Sequence, residues 1–283
     1  MAGNGTRYDT ALVAHVVEEL ARRLGANPAP RLIGLSGLQG SGKSTLARQL
    51  VDAAAQRGIH AVELSIDDFY LTRRERGRLA KTVHPLLATR GVPGTHDTGL
   101  VAGTLAALHQ AEERHPARLP SFDKGRDTRA TPSRWRRVAT PPDWILLEGW
   151  CIGVTAERPA ALREPCNALE RDSDADGYWR RWVNARLQSD YAALWARFDA
   201  LAVLQAPDFA VVENWRDQPE RELRRRGAPE AMSKTELRRF LMYYERLSRH
   251  ALRVLPKIAD ITIAIDRKRR VRRITSAPLR RRR

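Results

Sequence analysis

Five short apolar runs alternate along the chain with segments in which apolar residues recur every three or four positions. Leu32-Ile33-Gly34-Leu35, Ala61-Val62-Glu63-Leu64-Ser65-Ile66, Trp144-Ile145-Leu146-Leu147, Leu201-Ala202-Val203-Leu204 and Ile261-Thr262-Ile263-Ala264-Ile265 predict strands. Most are too continuously apolar for a sheet with one wet face, so they predict strands covered on both sides. Helices are predicted between them. Leu12, Val13, Val16, Val17, Leu20 and Leu24 form a stripe ending at Gly25; Leu46, Leu50, Val51 and Ala54 form another ending at Arg57-Gly58. Further helical spacing joins Leu100, Val101, Leu105 and Leu108, then Trp182, Leu187, Tyr191, Leu194 and Phe198, whose aromatics read as core. Ser233-Lys234-Thr235-Glu236 is a capping box opening a long helix through Leu237, Phe240, Leu241, Tyr244 and Leu247. Strand and helix in alternation predict an α/β fold, a parallel sheet flanked by helices on both faces.

The pattern fails in four places. Residues 71–98 and 120–129 are irregular and basic, and long ordered loops of this kind are usually functional. Residues 157–176 are polar and read as an exposed insertion, and residues 267–283 carry ten Lys or Arg with no acid. The expected division is an N-terminal helix and rigid Asn27-Pro28-Ala29-Pro30 linker (1–30), a main domain (31–266) and a basic tail (267–283). Ten of the seventeen net positive charges therefore fall in the tail, which weakens the case that the whole protein binds nucleic acid. A mobile basic tail touching RNA, DNA or anionic lipid is one expectation; a solvated arginine-rich end is the simpler one. Two cysteines, Cys151 and Cys166, provide neither a disulfide framework nor metal-ligand spacing. With no apolar run of membrane-spanning length and no signal-peptide core before Asp9, a soluble cytoplasmic protein is expected.

Candidate chemistry begins at Gly37-Leu38-Gln39-Gly40-Ser41-Gly42-Lys43-Ser44, followed by Thr45. It fits G-x-x-x-x-G-K-[ST] between a predicted strand and a predicted helix, the setting in which that motif cradles phosphates. Glycines allow close approach, backbone N–H groups and the helix N-terminus meet the charge, Lys43 reaches the outer phosphates, and the Ser44 hydroxyl ligates Mg²⁺. The motif predicts a P-loop NTPase using ATP and Mg²⁺. Asp67, leaving the second strand, is placed to take the proton of an acceptor hydroxyl, while Asp68 assists or holds Mg²⁺ through water. Glu148, ending the third strand, is the second acidic metal candidate. Arg90 and His96 in the first loop, with Lys124, Arg126 and Arg129 in the second, suit a small anionic acceptor. Residues 214–226, charged and helical, read as a lid (about 213–232) laying one or two arginines on the triphosphate.

Several of these segments together resemble a family. Ser65-Ile66-Asp67-Asp68-Phe69-Tyr70-Leu71-Thr72, Arg90-Gly91 with Gly94-Thr95-His96-Asp97, residues 120–129, Leu147-Glu148-Gly149-Trp150, and Trp215-Arg216 with Gln218, Glu220 and Arg224 are similar to the D-glycerate 3-kinase family. That family lies in the phosphoribulokinase/uridine kinase group of P-loop kinases. The resemblance runs from about Arg31 to Ile265 and implies phosphoryl transfer from ATP, with Mg²⁺, to a primary hydroxyl of a small acid, D-glycerate first among them. It also implies that Asp67 is the base, that Tyr70 lies at the acceptor, and that Arg216 and Arg224 act from the lid. The other readings are a P-loop kinase of a nucleoside, pantothenate or a sugar phosphate, or a regulatory P-loop ATPase with a nucleic-acid-binding tail. No Asn-Lys-x-Asp segment argues for guanine.

Overall fold

The structure, a computed structural model, describes residues 7–25, 29–228 and 231–279. Its centre is a sheet of six strands: β1 (Arg31–Gly37), β2 (Ala61–Ser65), β3 (Trp144–Gly149), β4 (Ala200–Gln205), β5 (Ile261–Ile265) and β6 (Val271–Ser276). They lie in the order β6-β5-β4-β1-β3-β2, with β1 to β5 parallel and β6 antiparallel to β5.

Side chains alternate across this sheet and both faces are covered. Leu32, Ile145 and Leu147 enter one core with the helix α4 (Thr98–His109), and with α6, which runs from Tyr178–Arg186 through a π-turn to Trp195. Ile33, Leu35 and Leu146 enter the other with α1 (Thr10–Leu24) and α2 (Lys43–Ala55). Each fully buried aliphatic side chain contributes roughly 1.5–3 kcal/mol, so the two faces specify the sheet strongly. The last helix, α8 (Lys234–Ile258), reaches both cores, with Leu237 and Leu241 in one and Leu247 and Leu255 in the other. Its Ser233 and Glu236 cap each other as the sequence predicts. The remaining helices are α3 (Arg73–Thr82), α5 (Ala168–Ser173) and α7 (Val211–Arg225).

The structure adds to four expectations. First, α1 is fastened to the phosphate loop: Tyr8 donates its phenol proton to the Ser41 carbonyl at 2.9 Å, and Gln49 of α2 holds the Tyr8 backbone. Asn27 and Pro28 of the linker lie outside the described residues. Second, the charged helix expected over residues 214–226 starts earlier, at Val211, and passes straight through Pro219. Proline brings no N–H to the Trp215 carbonyl one turn back; the Arg269 guanidinium donates to it instead, at 3.3 Å.

Third, the basic tail is largely a strand. Asp266 turns the chain by accepting from the Lys268 and Arg270 N–H groups, and Val271 and Ile274 of β6 then pack against the core. Residues 280–283 lie outside the described residues. Fourth, residues 157–176 are exposed along most of their length, as expected, but are anchored to the fold. Glu157, Leu162, Leu169, Glu170 and Asp174 are buried, and Arg246 of α8 grips Glu170 at 2.6 and 2.7 Å and the Ala161 and Glu164 carbonyls. Removing one partner of such a buried pair costs about 3–5 kcal/mol. Arg246→Ala is therefore expected to lower the urea unfolding midpoint by that equivalent; a loss below about 1 kcal/mol would place the segment's stability elsewhere.

Candidate active site

The strand order places the phosphate loop in the middle of the sheet, with β3 on one side and β4 on the other. Leaving β1 at Gly37, the chain turns through Gly40 (φ 75°) and Gly42 (φ 94°), and the first helical residue is Lys43. These angles suit glycine, and a Cβ on Gly40 would also stand 2.8 Å from Trp215 Cβ. The unpaired N–H groups of the first turn of α2 thus open on one side of a tight loop, the arrangement that binds phosphate. Gln39, in the same loop, has both amide atoms enclosed and without a partner.

Register brings the first acid in. Glu148 stands opposite Leu35 on β1, and the Ser44 hydroxyl donates to its Oε1 at 3.0 Å. Glu148 is buried, and its Oε2 has no partner. Among the described residues, no group of three or more His, Cys, Asp or Glu side chains is arranged to hold a metal. Ser44 and Glu148 instead form a hydrogen-bonded oxygen pair beside the phosphate loop, and oxygen ligands suit a cation shared with phosphate oxygens.

From β2 the chain makes a tight turn, Ile66–Phe69, whose two apolar ends are buried and whose two acids diverge. Asp67 accepts from the Tyr70 hydroxyl at 3.0 Å and from Lys124 at 2.9 Å. Burial pushes its carboxyl up, but Lys124 and Lys43 prevail and hold it down at about 2. A third of its side chain is exposed, which limits the desolvation the lysines must overcome. Asp68 accepts from the Phe122 N–H at 2.9 Å, pinning the second loop, and is raised by burial and by Asp67. Its contact is to backbone, and it makes none with Ser44.

Of the acceptor-side candidates, Tyr70 and Lys124 touch Asp67 directly, His96 stacks on Tyr70, and Arg90 lies over the Phe122 ring. The other two candidates, Arg126 and Arg129, make no such contact. The Arg126 side chain is 78% exposed, while Arg129 is drawn into ion pairs with Asp97 at 2.9 Å and Glu75 at 3.0 Å. The helical segment expected as a lid is packed down. Trp215 of α7 is buried beneath the phosphate loop, and Arg269 bridges the two by donating to the Gly40 carbonyl at 2.6 Å. Arg224 is committed to Asp217 and the Met232 carbonyl. Arg216 keeps an enclosed Nε without a partner and only a 3.7 Å contact to Glu220.

Two contributors escaped the sequence. Arg76, 1% exposed, donates to the Leu71 and Ala88 carbonyls and pairs with Asp127, which also receives Arg90. The available signal was the Thr72/Glu75 capping box, which starts α3 and turns Arg76 inward. Arg269, in the expected tail, had none.

No protein-family model matches the chain. The uncharacterized kinase mug58 of Schizosaccharomyces pombe is 32% identical over 241 residues, which cover 81% of this chain and 85% of that protein. The chloroplastic D-glycerate 3-kinase of Arabidopsis thaliana is 32% identical over 227 residues, 78% of this chain but 47% of that longer protein. Among solved structures, the D-glycerate 3-kinase of Cryptococcus neoformans superposes with a TM-score of 0.76 at 24% identity, covering 95% of this chain and 99% of that one.

Proposed function

The chain belongs to the D-glycerate 3-kinase family of P-loop kinases, and on that premise we propose that it transfers the γ-phosphoryl group of ATP to the primary hydroxyl of D-glycerate, giving 3-phosphoglycerate and ADP. The observation that carries this reading is Asp67, an ionised carboxylate held between Tyr70 and Lys124 at the carboxyl end of β2, within the field of Lys43. A hydroxyl acceptor gives such a group a task, taking the proton that the hydroxyl loses.

In this reading the acceptor hydroxyl donates to Asp67 and its oxygen faces the γ-phosphorus. As the new O–P bond forms and the bond to the bridging oxygen breaks, the hydroxyl proton passes to Asp67 and ADP leaves. Lys43 and the α2 N-terminus meet the negative charge on the phosphates, and Arg216 is the arginine of α7 free to join them. Arg90 and Lys124 favour an anionic acceptor. Mg²⁺, when bound, would neutralise phosphate oxygens, and Ser44 with Glu148 would hold it. The compartment proposed is the cytoplasm, which both cysteines support by being free; among the described residues no helix is long and apolar enough to cross a membrane.

Glu148→Gln is expected to raise the Mg²⁺ requirement roughly tenfold or more, and Asp68→Asn much less, because only Glu148 is bonded to Ser44. Mg²⁺ titration of both variants checks this, and the reverse order would move the cation to Asp68. The site of phosphorylation is read by ³¹P NMR of the product: 3-phosphoglycerate is expected, and 2-phosphoglycerate would contradict the pose on Asp67.

A further inference from the structure

Residues 94–97 fold back on the turn that follows β2. The Leu71 N–H donates to the Thr95 carbonyl at 2.9 Å and the Asp97 N–H to the Phe69 carbonyl at 2.7 Å. Between these bonds Tyr70 and His96 form an antiparallel bridge, so their side chains leave on the same face. The rings stack, 4.5 Å between centroids and 20° between planes, with the Tyr70 hydroxyl already spent on Asp67. On its other side the His96 Nδ1 lies 2.7 Å from the Tyr191 hydroxyl.

That hydroxyl has a definite direction. Its oxygen accepts from the Gly94 N–H at 2.9 Å, and the backbone N–H of His96 faces it as well. With the oxygen accepting, the one phenolic proton goes to the remaining acceptor in reach, Nδ1. Burial keeps the imidazole neutral, and a neutral ring bonded at Nδ1 carries its proton at Nε2. This Nε2–H is enclosed and has no partner among the described residues. Buried donors are nearly always paired, and an exception calls for an explanation.

We propose that His96 is a substrate-binding residue whose Nε2–H donates to an oxygen of the acceptor next to the reacting hydroxyl, and that Tyr191 positions it by fixing this tautomer. The oxygen is a carboxylate or hydroxyl oxygen of a small hydroxy acid, brought beside Asp67 through the stack on Tyr70. The inference rests on the kinase reading of the site and names what recognises the acceptor there.

His96→Phe keeps the stack and removes the donor, Tyr191→Phe keeps the ring and removes the proton that sets the tautomer, and His96→Gln restores an N–H near Nε2. The first two are expected to raise KM for the acceptor roughly tenfold, with KM for ATP changed less than about twofold, and His96→Gln to recover part of the loss. ¹⁵N NMR of the imidazole in the free wild-type protein is expected to report the neutral Nε2–H form, and Tyr191→Phe to lose that bias. A folded His96→Phe with unchanged acceptor KM overturns the proposal, as does an Nδ1–H tautomer in the wild type; should His96→Phe not fold, the tautomer and Tyr191→Phe decide. If the wild type phosphorylates a different hydroxy compound, the glycerate reading falls and the same KM comparison is made with that compound.

Discussion

Asp67→Asn keeps ATP binding and loses about 10²–10⁴-fold in kcat, the contribution of a positioned general base. The asparagine retains the volume and still accepts from Tyr70, so the turn after β2 survives, but it takes no proton and pairs weakly with Lys124. A carboxyl held at about 2 is a weak base. It takes its proton late, once the acceptor oxygen is bonded to phosphorus, which suits the loose transition state of phosphoryl transfer. The sign of the pH dependence follows. The base works ionised, and activity due to it fails only as pH falls through its depressed pKa, so the wild type is expected to show no Asp67 limb near neutrality. Lys124→Ala removes the largest influence lowering that pKa, leaves burial opposed mainly by Lys43, and moves the acid limb of kcat/KM upward. A pH–rate series on both proteins checks this; near-normal turnover in Asp67→Asn would remove the residue from the role.

Lys43→Ala is expected to fall by about 10²–10³-fold in kcat, as when one preorganised donor to developing charge is removed, and, unlike Asp67→Asn, to weaken ATP binding too. Lys43 is the first residue of α2, so its charge adds to the helix N-terminus where the phosphates sit. It also helps hold Asp67 ionised, so the substitution disturbs donor and acceptor sides together. Calorimetric nucleotide affinity measured beside turnover separates the two variants. A Lys43→Ala protein with wild-type nucleotide affinity and turnover would detach the glycine loop from ATP.

The cradle was legible because its parts are contiguous: strand, glycine turn and helix each leave a local mark. Asp67 and Glu148 were legible for a related reason, since each follows an apolar run and strand ends face the crevice. What failed depended on partners distant in sequence. Nothing near Arg129 announces that Asp97 and Glu75 will hold it, and nothing near Glu170 announces Arg246, 76 residues on. Arg224 looked free until Asp217, two helical turns away on the same face, was seen to claim it. In residues 267–283 the charge hid Val271 and Ile274, the apolar positions that make a strand of a basic run.

The central claim is most directly tested by ADP release from the purified protein with Mg-ATP and, in turn, D-glycerate, L-glycerate, uridine, pantothenate, ribulose 5-phosphate or no acceptor, using wild type and Asp67→Asn. The predicted result is stimulation by D-glycerate alone, abolished in Asp67→Asn. Turnover that ignores D-glycerate, whether with another acceptor or with none, would contradict it.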